Sequence, residues 1–115
     1  MKKNKSSKNW IIKQHKDKYF KQSKIQGYRS RSAFKLIEMN KKFKFLGKKT
    51  QLLDLGSSPG GWSQVASKQI NKGKILAIDL KAMEKINNVE FLKGDISDPI
   101  IHTKICKYFN KKADI

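Results

Sequence analysis

Leu53-Asp54-Leu55-Gly56-Ser57-Ser58-Pro59-Gly60-Gly61-Trp62 decides how the rest of the chain is read. Leu52, Leu53 and Leu55 form a short apolar run, the pattern of a strand buried on both faces. Residues 56–61 then hold three glycines, two serines and a proline. Without a Cβ, such a backbone takes positive φ and lets a ligand approach closely. Residues 62–70 follow as a helix, with Trp62, Val65, Ala66 and Gln69/Ile70 expected on one side. Strand, glycine loop and helix in that order make the first half of a nucleotide-binding α/β unit. The helix start aims its free N–H groups at whatever occupies the loop.

Spacing separates the loop types. A dinucleotide loop requires Gly-x-Gly-x-x-Gly, and Ser58 breaks that pattern. Gly56 and Gly61 have the spacing of a P-loop, but Trp62 stands where its lysine must be, so a triphosphate would be poorly held. The looser loop of class I S-adenosylmethionine enzymes survives both tests. A plain strand-to-helix turn would need fewer glycines.

Outward from the loop, further acids fall in register with it. Residues 74–79 read as a second buried strand ending in Asp79, nineteen residues after Gly60. That spacing suits a carboxylate accepting hydrogen bonds from a ribose diol. Residues 89–95 give a third strand with Asp95 just past its end. Ligands of open α/β sheets sit off the carboxyl ends of the strands, where Asp54, Asp79 and Asp95 are all expected. Asp98-Pro99 opens a helix with the acid as cap and Ile101, Ile105 and Phe109 as its buried stripe. Ala113-Asp114-Ile115 reads as the start of a fourth strand.

Upstream, Ser30 or Ser32 is a candidate cap for a helix that Gly47 ends. Phe34, Ile37 and Lys41 would line one side of it and Ala33, Leu36 and Phe43 another, leaving it largely enclosed. Arg29 and Arg31 are the only arginines, which points to planar phosphate contacts. Lys35 either snorkels to water or faces the glycine loop. Residues 10–20 suggest a short helix, in which Trp10 and Tyr19 either pin the segment to the core or stack on bases. There Lys13, Lys16 and Lys18 are candidates for phosphate contact. His15 has no companion at ligand spacing, so no metal site is expected.

The 115 residues allow one domain. Lysine and arginine total 27 against nine acids, a net charge of +18 that favours a polyanionic partner such as RNA. Twenty-five of the 27 are lysine, an excess that the codon bias of an AT-rich genome would also produce. The single cysteine, Cys106, excludes an internal disulfide, and no apolar run reaches membrane-spanning length. With no secretory h-region and no arginine-rich leader, the expected location is the cytoplasm.

Four motifs together resemble the FtsJ/RrmJ family of S-adenosylmethionine-dependent ribose 2′-O-methyltransferases. They are Trp10-Ile11-x-x-x-His15-x-Asp17-x-Tyr19, Arg29-Ser30-Arg31-x-x-Phe34-Lys35-Leu36, Asp54-Leu55-Gly56-x-x-Pro59-Gly60-Gly61-Trp62-Ser63-Gln64 and Phe91-Leu92-x-Gly94-Asp95. The resemblance implies an α/β, Rossmann-like class I methyltransferase fold preceded by N-terminal helices. Only its first half is expected here, strands 1–3 and the start of strand 4, with residues 1–24 a basic extension and 25–115 the cofactor domain. It further implies S-adenosylmethionine bound by Asp54, Gly56, Gly60, Gly61, Trp62, Asp79 and Asp95, with Gly60 and Trp62 beside the methionine. Asp79 would hold the ribose and Asp95 the adenine amino group, and Lys35 would be the first lysine of a Lys-Asp-Lys-Glu catalytic set. The implied substrate is a uridine ribose of large-subunit rRNA, with Arg29, Arg31, Lys13, Lys16 and Lys18 on the RNA. No metal, no membrane and a monomer at full length complete that picture. The other three members of the catalytic set have no counterpart up to Ile115, so the chain is expected to be the N-terminal part of a longer protein and inactive alone. A tRNA ribose methyltransferase and a non-catalytic RNA-binding module are the competing readings.

Overall fold

The computed structural model describes residues 27–110 and 112–115. Its elements are α1 (Ser32–Phe43), β1 (Gln51–Leu55), α2 (Gly61–Gln69), β2 (Lys74–Asp79), β3 (Glu90–Lys93) and α3 (Pro99–Phe109). The strands form a parallel sheet in the order β1-β2-β3. Its register runs from Gln51↔Lys74 to Leu55↔Ile78 and from Leu76↔Glu90 to Asp79↔Lys93. The expected basic extension, with the helix at 10–20 and Lys13, Lys16 and Lys18, lies outside the described residues.

Alternation along β1 and β2 divides the core in two. Leu52 and Ile75 join Ala33, Leu36, Leu46, Val65, Ala66 and Ile70 beneath α1 and α2. Leu76 and Ile78 face the other way and join Ile101 and Phe109 of α3, with Leu53 and Leu92 packed against them. Helices on both faces are what a sheet of parallel strands requires, because neither face tolerates water. The apolar runs of β1 and β2 are therefore the cause of the three-layer arrangement.

The start of a fourth strand is visible in its hydrogen bonds. Ile115 N–H donates to Gln51 O at 3.3 Å and Ile115 O accepts from Leu53 N–H at 2.8 Å. One residue bonded to both flanks of Leu52 is the parallel pattern. Residues 113–115 thus run along the β1 edge opposite β2.

Four local expectations are corrected. Neither serine caps α1: Arg31 occupies the N-cap in helical conformation without a side-chain bond, while Ser30 and Ser32 hydroxyls pair with each other at 2.8 Å. The helix ends before Gly47, at Phe43, because Lys44 turns left-handed and returns its N–H to Asn40 O. Nor is α1 largely enclosed, since only Ala33 and Leu36 are buried and Phe43 is 64% exposed. On α2 the inward residues include Gly61 and Ser63, whereas Trp62 is partly exposed at the helix start. The cap of α3 is as expected, with Asp98 accepting from Ile100 N–H at 2.9 Å and Pro99 in the first turn.

The segment before α1 approaches α2 closely where Gly61 meets Ser30, and a Cβ at Gly61 would overlap the Ser30 hydroxyl. A Gly61→Ala substitution is expected to destabilise the fold by about 1–3 kcal/mol through overpacking. Urea denaturation checks this, and adding Ser30→Ala to the same chain should recover a large part of the loss.

Candidate functional site

The site lies where β1, β2 and β3 end. The loop of residues 56–60 leaves β1 with Gly56 at φ +71° and reaches α2 through Gly60 at φ +116°, both in the region that side chains disfavour. Gly56 and Ser57 N–H groups both donate to Ile78 O, at 2.8 and 3.1 Å, so the loop is tied to the end of β2. An open cleft of about 300 Å³ lies over it, lined by Asp54, Gly56, Ser57, Ser58, Gly61 and Trp62, with Ser30 and Ser32 from the start of α1. A second hollow of about 160 Å³ adjoins it through Leu55 and Gly56. Its lining is Ile78, Leu80 and Ile96 together with Asp79, Gly94 and Asp95.

The three aspartates come together at this end of the sheet in different environments. Asp54 is buried and accepts from Ser63 Oγ at 2.6 Å. Burial pushes its carboxyl up; the Ser63 bond offsets part of that and the Asp79 charge adds to it. Asp79 accepts Lys81 N–H and Ser58 N–H, each at 2.9 Å, and these bonds hold it below the usual carboxylate range. Asp95 is held low likewise by Ser97, which donates both its N–H and its hydroxyl to Oδ1. Asp79 and Asp95 are thereby kept anionic at the rim, while Asp54 sits under the floor as a brace between β1 and α2.

Arg29 does something the sequence did not suggest. Its guanidinium donates to Pro59 O at 3.1 Å, Glu84 O at 2.7 Å and Lys85 O at 3.0 Å. It joins the glycine loop to the segment after β2, and a Cβ on Gly60 would press on it at 3.0 Å. Its own N–H donates to Gln64 Oε1 at 2.7 Å, and Gln64 Nε2 reaches Gly27 O at 3.1 Å. Trp62 Nε1 donates to Ser32 O at 2.8 Å. The segment before α1 is thus fastened to α2 and to both loops that border the clefts. Sequence reasoning assigned Arg29 to phosphate and gave Ser63 and Gln64 no role; nothing in residue type alone reveals partners 9 to 56 positions away.

Arg31 and Lys35 are exposed. They share a surface depression with Ser32, Phe34 and Glu38, and Ser32 also lines the loop cleft. Lys35 therefore borders the cleft rather than lining it. Among the described residues no cluster of His, Cys, Asp and Glu could hold a metal, and no helix is long and apolar enough to cross a membrane.

The second hollow sets two carboxylate acceptors, Asp79 and Asp95, beside apolar Ile78, Leu80 and Ile96. Ser57 Oγ is, among the described residues, the one buried side-chain polar atom without a hydrogen-bond partner, and Ser57 lines the loop cleft. A ligand group there would satisfy it.

Two predictions concern these contacts. Arg29→Ala removes three carbonyl partners and is expected to lower stability by about 1–3 kcal/mol, read by thermal unfolding, with Arg29→Lys restoring only part. For Asp54 the folded-state pKa is raised, so the ionised form weighs against folding as pH rises above about 4. Asp54→Asn is consequently expected to gain stability relative to the parent between about pH 4 and 7, measured as the difference in urea midpoint across that range.

The model of the FtsJ-like methyltransferase family matches residues 28–115. Ribosomal RNA large subunit methyltransferase E of Pelagibacter ubique is 49% identical over 115 residues, covering 100% of this chain and 57% of that protein. A protein of the same name from Azorhizobium caulinodans is 43% identical over 114 residues, 96% of this chain and 48% of that one. The crystal structure of a ribosomal RNA methyltransferase from Plasmodium falciparum matches with a TM-score of 0.69 and 40% identity, over 76% of this chain and 53% of that one. The chain spans about half the length of the relatives it matches.

Proposed function

Because this chain belongs to the FtsJ-like methyltransferase family, we propose that its gene product transfers a methyl group from S-adenosylmethionine to the 2′-oxygen of a uridine ribose in large-subunit rRNA. The observation that carries the cofactor half of this reading is the pair of adjoining clefts at the strand ends. One is floored by the glycine loop and contains the unpartnered Ser57 hydroxyl, and the other is rimmed by Asp79 and Asp95.

The residues divide the cofactor between the clefts. Gly56, Gly60, Gly61 and Trp62 make room for the methionine portion, and Ser57 supplies a hydroxyl to its polar groups. Asp79 keeps a full negative charge although two backbone N–H groups bond to it, and its remaining lone pairs accept from the ribose diol. Asp95 offers its second oxygen to the adenine amino group, over an apolar bed of Ile78, Leu80 and Ile96. When bound, the cofactor supplies an electrophilic methyl on a sulfonium sulfur.

Arg31 and Lys35 stand on the exposed side of the same helix start, next to the cleft mouth at Ser32. There Lys35 orients the target nucleotide and offsets the charge that grows on the attacking oxygen, which is a poor nucleophile while it keeps its proton. Lys13, Lys16 and Lys18 extend the basic contact to RNA, and the net charge of +18 supports that partner. The protein works in the cytoplasm, where the large subunit is assembled.

Isothermal titration with S-adenosylmethionine and its demethylated product tests the cofactor half; no heat and no rise in melting temperature with folded protein would overturn it. Asp79→Ala is expected to weaken binding about tenfold or more. Radiolabel transfer to large ribosomal subunits rather than to bulk tRNA tests the substrate half, and labelling of tRNA alone would refute rRNA as the target.

A further inference from the structure

The sheet has a second end, and its chemistry is the reverse of the first. No acidic residue occurs from Met39 to Leu53 or from Leu55 to Ile78, while lysines stand at 41, 42, 44, 48, 49, 68, 72 and 74. Parallel pairing sets the starts of β1 and β2 side by side, with Gln51 opposite Lys74. The turns leading into them are stitched together, as Lys72 N–H donates to Lys48 O at 2.8 Å and Lys74 N–H to Thr50 O at 3.3 Å. Lys48, Lys49 and Lys72 therefore share one surface, joined by Lys41, Lys42 and Lys44 from the end of α1. All six are exposed, and among the described residues none has an ion-pair partner. The acids bordering this end are Glu38, one turn before Lys41 and Lys42 on α1, Asp114, which accepts Gln51 N–H, and Glu90 at the start of β3.

One or two lysines here would complement the carboxyl ends of α1 and α2. Six exceed that need, and their mutual repulsion within a Debye length of about 8 Å weighs against folding unless a polyanion relieves it. Phe43 stands among them, 64% exposed, with Lys42 Nζ 5.4 Å from its ring centre. An exposed aromatic ring with an ammonium group beside it, on a lysine-rich surface, matches an unpaired base flanked by phosphates.

We infer that this end of the sheet, with Lys41, Lys42, Lys44, Lys48, Lys49 and Lys72 around Phe43, is a second RNA-docking surface. It lies about 17 Å, the length of β1, from the glycine loop. It grips RNA remote from the modified ribose, and so contributes to affinity without touching the reacting atoms. That the bound RNA is also the substrate rests on the function proposed above.

The test uses the gene product at its full encoded length and a large-subunit rRNA transcript. Replacing Lys48, Lys49 and Lys72 together by glutamine is expected to lower affinity at least tenfold at moderate salt. The slope of log affinity against log salt should fall by about two to three, given roughly 0.7–0.9 per phosphate contact. Heat on titration with S-adenosylmethionine should stay as in the parent, and methylation should show a raised KM for RNA with kcat retained. Phe43→Ala should weaken RNA binding without changing the salt slope, and parental affinity in that variant would remove the stacking contact. Parental affinity and slope in the triple variant would overturn the proposal, as would a loss confined to anionic phosphatidylserine vesicles. If the parent binds no S-adenosylmethionine yet the triple variant still loses RNA, the docking surface stands and the methyltransferase reading falls.

Discussion

Parallel pairing of β1 with β2 is the constraint on which everything else in this chain depends. Five residue pairs from Gln51↔Lys74 to Leu55↔Ile78 oblige both strands to release their chains at the same end. The glycine loop and the segment after Asp79 must then face each other, and the clefts form between them. The same pairing forces both faces of the sheet to be covered, which draws α1 and α2 to one side and α3 to the other. It also sends the return turns, with their lysines, to the opposite end. A recess at the strand ends and a lysine-rich surface at the opposite end follow from this single arrangement.

Within the recess, rigidity comes from groups that satisfy backbone rather than ligand. Arg29 spans three carbonyls from two loops, and Asp79 receives N–H groups from Ser58 and Lys81. Loops rich in glycine lose much conformational entropy on ordering, and charged hydrogen bonds of this kind offset it. The division among the carboxylates is equally physical. Asp54 has Ser63 as its partner and is pushed toward protonation by burial, whereas backbone and Ser97 donors keep Asp79 and Asp95 ionised. Similar residues at similar strand positions thus end in opposite electrostatic roles.

Much of the fold was legible because its signals are local. Three apolar runs, a glycine loop of diagnostic spacing and the Asp98-Pro99 helix start all reappear as β1, β2, β3, the 56–60 loop and α3. The start of the fourth strand was legible too, in three residues. What failed was α1. Its apolar residues suggest an enclosed helix, yet the helix stops at Phe43 and only Ala33 and Leu36 are buried. Periodicity shows which residues share a helix face, but not how much of that face a neighbour covers.

The sequence by itself determined that this is an α/β chain of the FtsJ-like kind, and that Asp54, Asp79 and Asp95 fall at strand ends beside the glycine loop. Apolar period, glycine spacing and acid placement are written along the chain, so they survive without coordinates. Only the tertiary structure decided that Arg29 clasps two loops, that Asp54 is braced by Ser63, and that Lys48 and Lys72 share a surface. Those relations join residues from distant turns of the chain, and distance in space is set by packing, which no run of neighbouring letters encodes.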